Sequence, residues 1–300
     1  MDPLDLVGLT PLMARTSGRS SVVVCVVDGR VAPNHPAFAG RPVRELRPAA
    51  GAAAGTGTCA HPDVCCAHGT AVAALLAGDR GVCPHCTLLS RPLFADHPAD
   101  GGPATCLAGV RVAELAEAIT EAVDAGAHVL NLSLAQPAPS GVRDRALDAA
   151  LGHAADRGVI VVVAAGNQGR TGSSPLTDHP WVIPVVAYDH AGRPLPHSNR
   201  GISIGRNGVG APGDRVPGVG LDGRPVLLSG TSAAAPFVTG AVALLRSAFP
   251  DATPAAVRYA VTHGPGRRRS AMPPLLDAWA AYTTLRTATA RPSRPSPGHG

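Results

Sequence analysis

A run of β-branched residues near the start of the chain constrains the fold more than any other feature. Residues 22–27 read Val-Val-Val-Cys-Val-Val, and the run ends at Asp28 and Gly29. An unbroken apolar run of this length is typical of a strand that is buried on both faces of a parallel sheet. The sequence therefore predicts a buried parallel strand that carries Asp28 at its carboxyl end.

Further strand candidates alternate with helical segments along the chain. Strands are predicted near residues 87–94, 127–134, 159–165 and 181–187. Helices are predicted near residues 68–77, 112–125, 143–157, 231–249, 253–262 and 275–284. This alternation favours a three-layer α/β fold, in which helices flank both faces of a central, mostly parallel sheet.

Composition indicates one globular domain with a short tail. The 300 residues are 45% hydrophobic and 16% charged, which suits a single large core. We predict one domain over residues 1–285, and a disordered tail rich in Pro, Ser, Arg and Gly over residues 286–300. Residues 39–66 and the Gly-rich stretch that precedes residue 231 are predicted to be irregular.

The charge of the chain does not indicate a nucleic-acid partner. The formal net charge is +5, but every basic residue is Arg or His, and aromatic-rich RNA-binding signatures are missing. The longest apolar runs are too short to span a bilayer, and the N-terminus lacks the pattern of a secretory signal. The sequence therefore favours a cytoplasmic protein that binds neither membranes nor nucleic acid.

Four segments each place a reactive side chain where such a sheet would expose it. Asp28 follows the first strand, and His68 begins a helix in the sequence Ala-His-Gly-Thr-Ala-Val-Ala. Asn167 follows a strand in Ala-Ala-Gly-Asn, and Ser232 begins a helix in Gly-Thr-Ser-Ala-Ala-Ala-Pro. In open parallel sheets, active groups gather beyond the carboxyl ends of the strands. We therefore expect these four side chains to share one site.

These residue types are the ones that acyl transfer needs. A serine hydroxyl becomes a good nucleophile when a neighbouring imidazole takes its proton, and a buried carboxylate holds that imidazole in one tautomer. The oxyanion needs preorganised donors, for which the Asn167 amide and the Ser232 backbone N–H are the candidates. The positive end of the helix dipole at Ser232 favours the same charge.

With these motifs in this order, the chain resembles the subtilisin (subtilase) family of serine proteases over about residues 4–262. The resemblance implies a subtilisin-like fold and an endopeptidase that forms an acyl-enzyme on Ser232, with His68 as the base and Asp28 as the orienting carboxylate. No cofactor is implied. Loss of Asn167 should cost ~100–1,000-fold in turnover, a magnitude known from this same family.

The resemblance also places the peptide substrate. One strand would pair with an extended substrate backbone, and a second segment would line the pocket for the side chain that precedes the cut bond. The residues concerned are Ser133, Leu134, Ala135, Ala164, Ala165 and Gly166. The family usually has Gly in place of Ala135, which implies a narrower pocket. Gly-Gly at 101–102 is a candidate for the opposite rim.

Three features of the sequence depart from the family pattern. Asp28 is followed by Gly-Arg instead of Ser/Thr-Gly, which removes a hydroxyl near the acid. Only 12 residues separate His68 from Gly81, so the calcium site of secreted relatives is predicted to be absent. No propeptide is seen, which also suggests an intracellular enzyme.

Residues 27–38 look most like the cyanobactin maturation proteases, cytosolic subtilases that cleave ribosomally made precursor peptides. The predicted substrate is thus a peptide or protein, and specifically a natural-product precursor peptide. Two alternatives stay open, a broad-specificity intracellular protease and a non-catalytic relative that only binds peptides.

Five of the seven cysteines flank the helix that carries His68. They are Cys59, Cys65, Cys66, Cys83 and Cys86. An odd total excludes a complete set of disulfides within the chain, and a reducing compartment favours thiols or metal ligation. The spacing leaves three interpretations open: a disulfide, a structural zinc site, or buried thiols that act as small hydrophobic side chains.

Overall fold

The central sheet is parallel throughout the part of the chain that the structure describes. This computed structural model describes residues 1–46, 64–93, 110–133, 144–264 and 270–290. The strands of the sheet are β1 Val23–Asp28, β2 Val43–Glu45, β3 Thr87–Pro92, β4 Val129–Leu132, β5 Ile160–Ala164, β6 Val182–Tyr188 and β7 Val209–Pro212. Their order is β2-β3-β1-β4-β5-β6-β7, and every neighbouring pair is parallel. The predicted α/β fold is confirmed.

Helices cover both faces of this sheet. The α-helices of the described ranges are α1 Pro3–Leu6, α2 Leu9–Met13, α3 Val64–Ala77, α4 Val112–Asp124, α5 Arg145–Asp156, α6 Pro175–Asp178, α7 Ile202–Asn207, α8 Thr231–Ala248, α9 Pro254–Thr262 and α10 Ala278–Thr289. Strand β1 shows the layering: Val24 and Val26 belong to the apolar cluster that contains α3 and α8. Cys25 and Val27 belong to the opposite cluster with α4 and α5. The prediction that β1 is buried on both faces is therefore correct.

Several elements lie where the sequence predicted irregular structure. Strand β2 falls within residues 39–66, while α7, β7 and an antiparallel pair fall before residue 231; the pair is β8 Val216–Val219 with β9 Pro225–Leu228. The strands among these elements are short, and all but β2 contain Gly or Pro, so pairing with a neighbouring strand decides their conformation more than local propensity does. Helix α10 continues to Thr289, which places residues 286–289 in a helix instead of the predicted tail.

Helix α3 begins earlier than predicted. Its described part already includes Val64, so His68 lies at least one turn inside the helix and not at its N-terminus. The prediction of one domain over residues 1–285 stays a prediction. Among the described residues, no helix has both the length and the apolar character needed to cross a membrane.

Two glycines let α3 approach the end of β1. A Cβ atom added to Gly29 would lie 2.0 Å from the carbonyl oxygen of Cys65, and one added to Gly69 would lie 2.3 Å from the carbonyl oxygen of Gly29. Both neighbours are backbone atoms, which cannot rotate away as a side chain can. This backbone-to-backbone contact brings His68 to the side of Asp28.

We expect Gly69→Ala to lower the free energy of unfolding by about 1–3 kcal/mol, the usual cost of overpacking. Alanine normally favours a helix interior over glycine by ~0.5–1 kcal/mol, so the packing cost must exceed this gain. Gly152 in α5 is the matched control, because a Cβ there would meet nothing within 4 Å. Gly152→Ala should stabilise the protein by ~0.5–1 kcal/mol in urea unfolding. Equal effects of the two substitutions would contradict this account of the contact.

Candidate active site

Buried Asp28 and half-buried His68 form a hydrogen-bonded pair. Asp28 ends β1 and is 1% exposed. Its Oδ1 accepts hydrogen bonds from His68 Nδ1 at 2.7 Å and from the Gly29 N–H at 2.6 Å. A carboxylate only accepts, so Nδ1 carries the proton in this pair and Nε2 of the neutral ring has a free lone pair. The imidazole is thus held in the tautomer that can accept a proton at Nε2.

The surroundings of His68 raise its pKa. Burial by itself would lower the pKa, but the negative charge of Asp28 and the hydrogen bond to it outweigh burial. The pKa of the His68 imidazole therefore lies above its ordinary value of 6.5. A function that needs neutral His68 is lost as the pH falls through this raised pKa.

The second oxygen of Asp28, Oδ2, lies next to the position where the family pattern has a Ser or Thr hydroxyl and this chain has Gly29. Oδ2 is buried and has no hydrogen-bond partner among the residues that the structure describes. Gly29 follows Asp28 where the family pattern has Ser or Thr, and it offers only its backbone N–H. All hydrogen bonds found on this carboxylate therefore converge on Oδ1.

Thr231 fixes the orientation of the Asn167 amide. Its N–H and its hydroxyl both donate to Asn167 Oδ1, at 2.9 and 3.1 Å. A backbone N–H can only donate, so the amide oxygen must face Thr231 and the amide NH₂ group faces away from it. Asn167 is exposed, so that NH₂ group is available to an acceptor outside the protein.

Gly230 makes room for this amide. Its φ is +104°, a conformation that L side chains rarely adopt, and a Cβ there would lie 2.8 Å from Asn167 Nδ2. Thr231 Oγ1 also accepts a hydrogen bond from the Gly166 N–H at 3.1 Å. The start of α8 and the end of β5 are thereby joined at one point.

Ser232 lies in the first turn of α8, where backbone N–H groups have no partner within the helix. Helices α3 and α8 pack against each other, which brings the elements that carry His68 and Ser232 together. Within the described part of the chain, the Ser232 hydroxyl makes no hydrogen bond to His68. Such bonds are often long in enzymes without substrate and tighten when substrate binds.

A buried chain of hydrogen bonds that the sequence did not reveal supports the Ser232 peptide. The Thr239 hydroxyl donates to Asn131 Oδ1 at 2.8 Å, and Asn131 Nδ2 donates to Ser133 Oγ at 2.7 Å. The Ser133 hydroxyl then donates to the Ser232 carbonyl oxygen at 3.1 Å. Thr239, Asn131 and Ser133 are at most 1% exposed. Thr239 lies two turns after Ser232 on α8. This spacing is the feature of the sequence that could have linked Thr239 to the Ser232 peptide.

The structure places some of the predicted substrate-binding residues. Ala164 ends β5, and Ala165 and Gly166 follow it as buried residues. Asn199 holds this segment: its Nδ2 donates to Ala165 O at 3.0 Å, and its N–H donates to Gly166 O at 2.9 Å. The Ser133 side chain is committed to the Ser232 carbonyl, so its predicted contact with substrate concerns the backbone.

The other residues predicted to bind substrate, and one of the predicted cysteines, lie outside the described ranges. They are Leu134, Ala135, the Gly-Gly pair at 101–102, and Cys59.

The cysteines near His68 fall into two classes. Cys65 and Cys66 are both in disulfide bonds, and a sulfur in a disulfide cannot serve as a zinc thiolate. Cys83 and Cys86 are buried free thiols. Within the described ranges, no group of three or more His, Cys, Asp or Glu side chains is placed to hold a metal ion. Of the three interpretations that the spacing left open, the structure has Cys65 and Cys66 in disulfides.

Comparison with known proteins places this arrangement in a family. The model of the Subtilase family matches residues 19–272. This chain belongs to the subtilase family. Mycosin-3 of Mycobacterium tuberculosis is 34% identical to this subtilase over 263 residues, covering 69% of this chain and 56% of the relative. The chain spans about half the length of the curated relatives it matches.

Solved structures of two maturation proteases are similar to this subtilase over almost their whole length. The prenylagaramide maturation protease PagA has a TM-score of 0.76 and 29% identity, covering 93% of this chain and 98% of its own. The patellamide maturation protease PatA has a TM-score of 0.74 and 30% identity, covering 90% and 98%. The predicted subtilisin-like fold is confirmed.

Proposed function

We propose that this subtilase is a serine endopeptidase that hydrolyses peptide bonds through an acyl-enzyme on Ser232. The observation that carries the proposal is the 2.7 Å hydrogen bond between Asp28 Oδ1 and His68 Nδ1. It leaves Nε2 as a proton acceptor, and α3 packs against α8, whose first turn contains Ser232. A paired carboxylate, imidazole and serine are the groups that activate a hydroxyl for attack on an amide.

The proposed reaction uses each group in turn. His68 Nε2 takes the proton of the Ser232 hydroxyl as Oγ attacks the carbonyl carbon, and Asp28 stabilises the imidazolium that forms. The Asn167 NH₂ group and the Ser232 backbone N–H donate to the oxyanion. His68 then gives its proton to the leaving amine, and a water molecule repeats the sequence to release the acid.

Asn167→Ala is expected to lower kcat by ~100–1,000-fold, because the oxyanion loses one of its two donors. KM should change little, since the donor acts mainly on charge that develops in the transition state. Steady-state kinetics on a chromogenic peptide measure both constants. Asn207→Ala in α7 serves as the matched control and should leave kcat unchanged. A similar kcat in both variants would remove Asn167 from the oxyanion site.

Thr239→Val is expected to lower kcat by roughly 10-fold, because the hydrogen-bonded support of the Ser232 peptide is released and the nucleophile is less well placed. The buried Asn131 Oδ1 also loses its donor, which should cost about 1–3 kcal/mol in the free energy of unfolding. Thr239→Ser keeps the hydroxyl and should recover most of kcat. If Ser and Val behave alike, the hydroxyl does not position Ser232.

The proposed substrate is a ribosomally made precursor peptide, cut in the cytoplasm where such peptides are made. PagA and PatA, both described as maturation proteases, support this substrate class because they align with nearly the whole chain. The resemblance of residues 27–38 to the cyanobactin maturation proteases supports it independently of the overall fold.

Fluorophosphonate labelling tests the catalytic part of this proposal. The wild-type chain should label on Ser232, and Ser232→Ala should not. Equal labelling of the two proteins would favour the alternative of a non-catalytic peptide-binding relative.

Digestion of a peptide library, with cleavage sites determined by mass spectrometry, tests the substrate class. A maturation protease should cut at a few related sites and leave most unfolded proteins intact. Comparable cleavage of many unrelated unfolded proteins would instead establish a broad-specificity protease.

A further inference from the structure

Two free cysteines outside the candidate active site share one tight turn between α3 and β3. The Cys86 N–H donates to the Cys83 carbonyl oxygen at 3.1 Å. A hydrogen bond between the ends of a four-residue turn holds the two Cα atoms within about 7 Å. Disulfides join cysteines whose Cα atoms are roughly 4.4–6.8 Å apart. The turn therefore already holds Cys83 and Cys86 near the spacing that a disulfide needs.

The two thiols differ in their surroundings. The neighbouring Cys83 thiol is the main cause that lowers the pKa of Cys86, and the Arg19 backbone N–H and the Ser247 hydroxyl act in the same direction against burial. The pKa of Cys83 is raised by its interaction with Cys86 and by burial. Cys83 has a second acceptor within reach, the Leu76 carbonyl oxygen at 3.4 Å. Cys86 is also the more exposed of the two thiols, so it is the one that an incoming molecule can reach first.

A cavity gives small molecules a route to this turn. It has a volume of about 480 Å³, and Cys86 lines it together with His85, Arg19 and Arg41. Cys86 is 7% exposed, whereas Cys83 is fully buried. Arg41 pairs with Asp79 at 3.3 Å, while Arg19 has no ion pair within the described ranges. Arg19 is thus the lining arginine that can meet a carboxylate on a small ligand.

We propose that Cys83 and Cys86 form a thiol–disulfide exchange site for small anionic disulfides. The Cys86 thiolate attacks one sulfur of the small disulfide, the S–S bond breaks, and one small thiolate leaves and takes up a proton. Cys83 then attacks the Cys86 sulfur of the mixed disulfide, releasing the second small thiol, which takes the Cys83 proton. The two cysteines lose two electrons in total, and the small disulfide is reduced to two thiols.

The position of the pair links this chemistry to both catalytic helices. The Cys83 N–H donates to Leu76 O at 2.8 Å in the last turn of α3, and Cys86 Sγ lies 4.0 Å from Ser247 Oγ in the last turn of α8. Oxidation removes the Cys83 thiol proton, so the bond from this thiol to Leu76 is lost. The exchange site therefore lies where the helices that carry His68 and Ser232 end.

Oxidised glutathione is the probe for the test, applied to the native full chain. After exposure, remaining thiols are alkylated in denaturant and peptides are mapped by mass spectrometry. Cys83 and Cys86 should be joined to each other, and therefore protected from alkylation, at least about 10-fold faster than Cys25 is modified. Cys25 is the internal control, because it is fully buried and burial raises its pKa to about 12.

Two variants test the order of attack. Cys83→Ser lacks the second thiol, so Cys86 should retain one bound glutathione. Cys86→Ser should leave Cys83 nearly as unreactive as Cys25. The proposal is overturned if Cys83 and Cys86 react no faster than Cys25 in the wild-type chain, a comparison that needs no variant to fold. It is also overturned if Cys83 reacts equally fast without Cys86. Neither outcome bears on the proposed peptidase activity.

Discussion

His68→Ala is expected to lower kcat by about a million-fold, the magnitude known for the corresponding loss in subtilisin, a member of the same family. Without the imidazole, the Ser232 hydroxyl keeps its proton and the leaving amine receives none. Kinetics on a peptide substrate, with the enzyme in large excess to detect slow turnover, measure the loss. Residual activity within 100-fold of the wild type would show that His68 is not the base.

Loss of the imidazole has a second consequence for the buried carboxylate. Asp28 Oδ1 would retain only the Gly29 N–H, and Oδ2 has no partner among the described residues. Removing one partner of a buried charged pair is usually destabilising. The double variant Asp28→Asn/His68→Ala removes this charge and is the matched control. Since the residues act as a unit, its kcat should equal that of His68→Ala within a few-fold. A much larger fall would mean that Asp28 acts independently of His68.

Asp28→Ala is expected to lower kcat by roughly 10,000-fold, again the order known for subtilisin. The imidazole would lose both the acceptor that fixes its tautomer and the charge that stabilises its protonated form. Asp28→Asn should lower kcat less than Asp28→Ala does. The Gly29 N–H at 2.6 Å requires an acceptor, so the amide oxygen should take the place of Oδ1 and still accept from His68 Nδ1. The amide NH₂ would occupy the position of Oδ2, which has no partner in the described part of the chain.

The pH profile separates the two effects of Asp28 on His68, which are the hydrogen bond that fixes the tautomer and the charge that stabilises the imidazolium. In the wild type, the charge of Asp28 holds the pKa of His68 above 6.5, so activity should fall on acidification through a pH above 6.5. In Asp28→Asn that charge is absent while burial still lowers the pKa of His68. The acid limb of kcat/KM should therefore move below pH 6.5. An unchanged acid limb would show that a different group controls it.

The same pair shows what could be predicted from the sequence and what could not. The motif around His68 was sufficient to name the residue and its partner, because acyl transfer restricts the usable side chains to a few types. The helix around it includes at least one turn more than predicted, and the close contact between Gly29 and the Cys65 carbonyl brings this helix to the end of β1. Such a contact joins residues far apart in the chain and leaves no local pattern.

The residues that support the Ser232 peptide could not be predicted from the sequence either. Nothing in the sequence pairs Thr239 with Asn131, and only the packing of α8 on β4 places their side chains 2.8 Å apart. The cysteines near His68 also needed the tertiary structure. One and the same residue type is in disulfide bonds at Cys65 and Cys66 but a free thiol at Cys83 and Cys86. Spacing along the chain cannot decide this, because disulfides depend on the distance between Cα atoms in the folded protein.

The sequence by itself determined the α/β fold and was enough to predict four reactive residues, Asp28, His68, Asn167 and Ser232. Apolar periodicity selects the type of secondary structure, and the chemistry of the reaction selects the side chains. Only the tertiary structure decided that the hydrogen bonds on Asp28 meet at one oxygen, that Thr231 turns the Asn167 NH₂ group outward, and that a buried chain from Thr239 supports the Ser232 peptide. Hydrogen bonds require distances near 3 Å between groups that are distant in sequence, and only packing sets such distances.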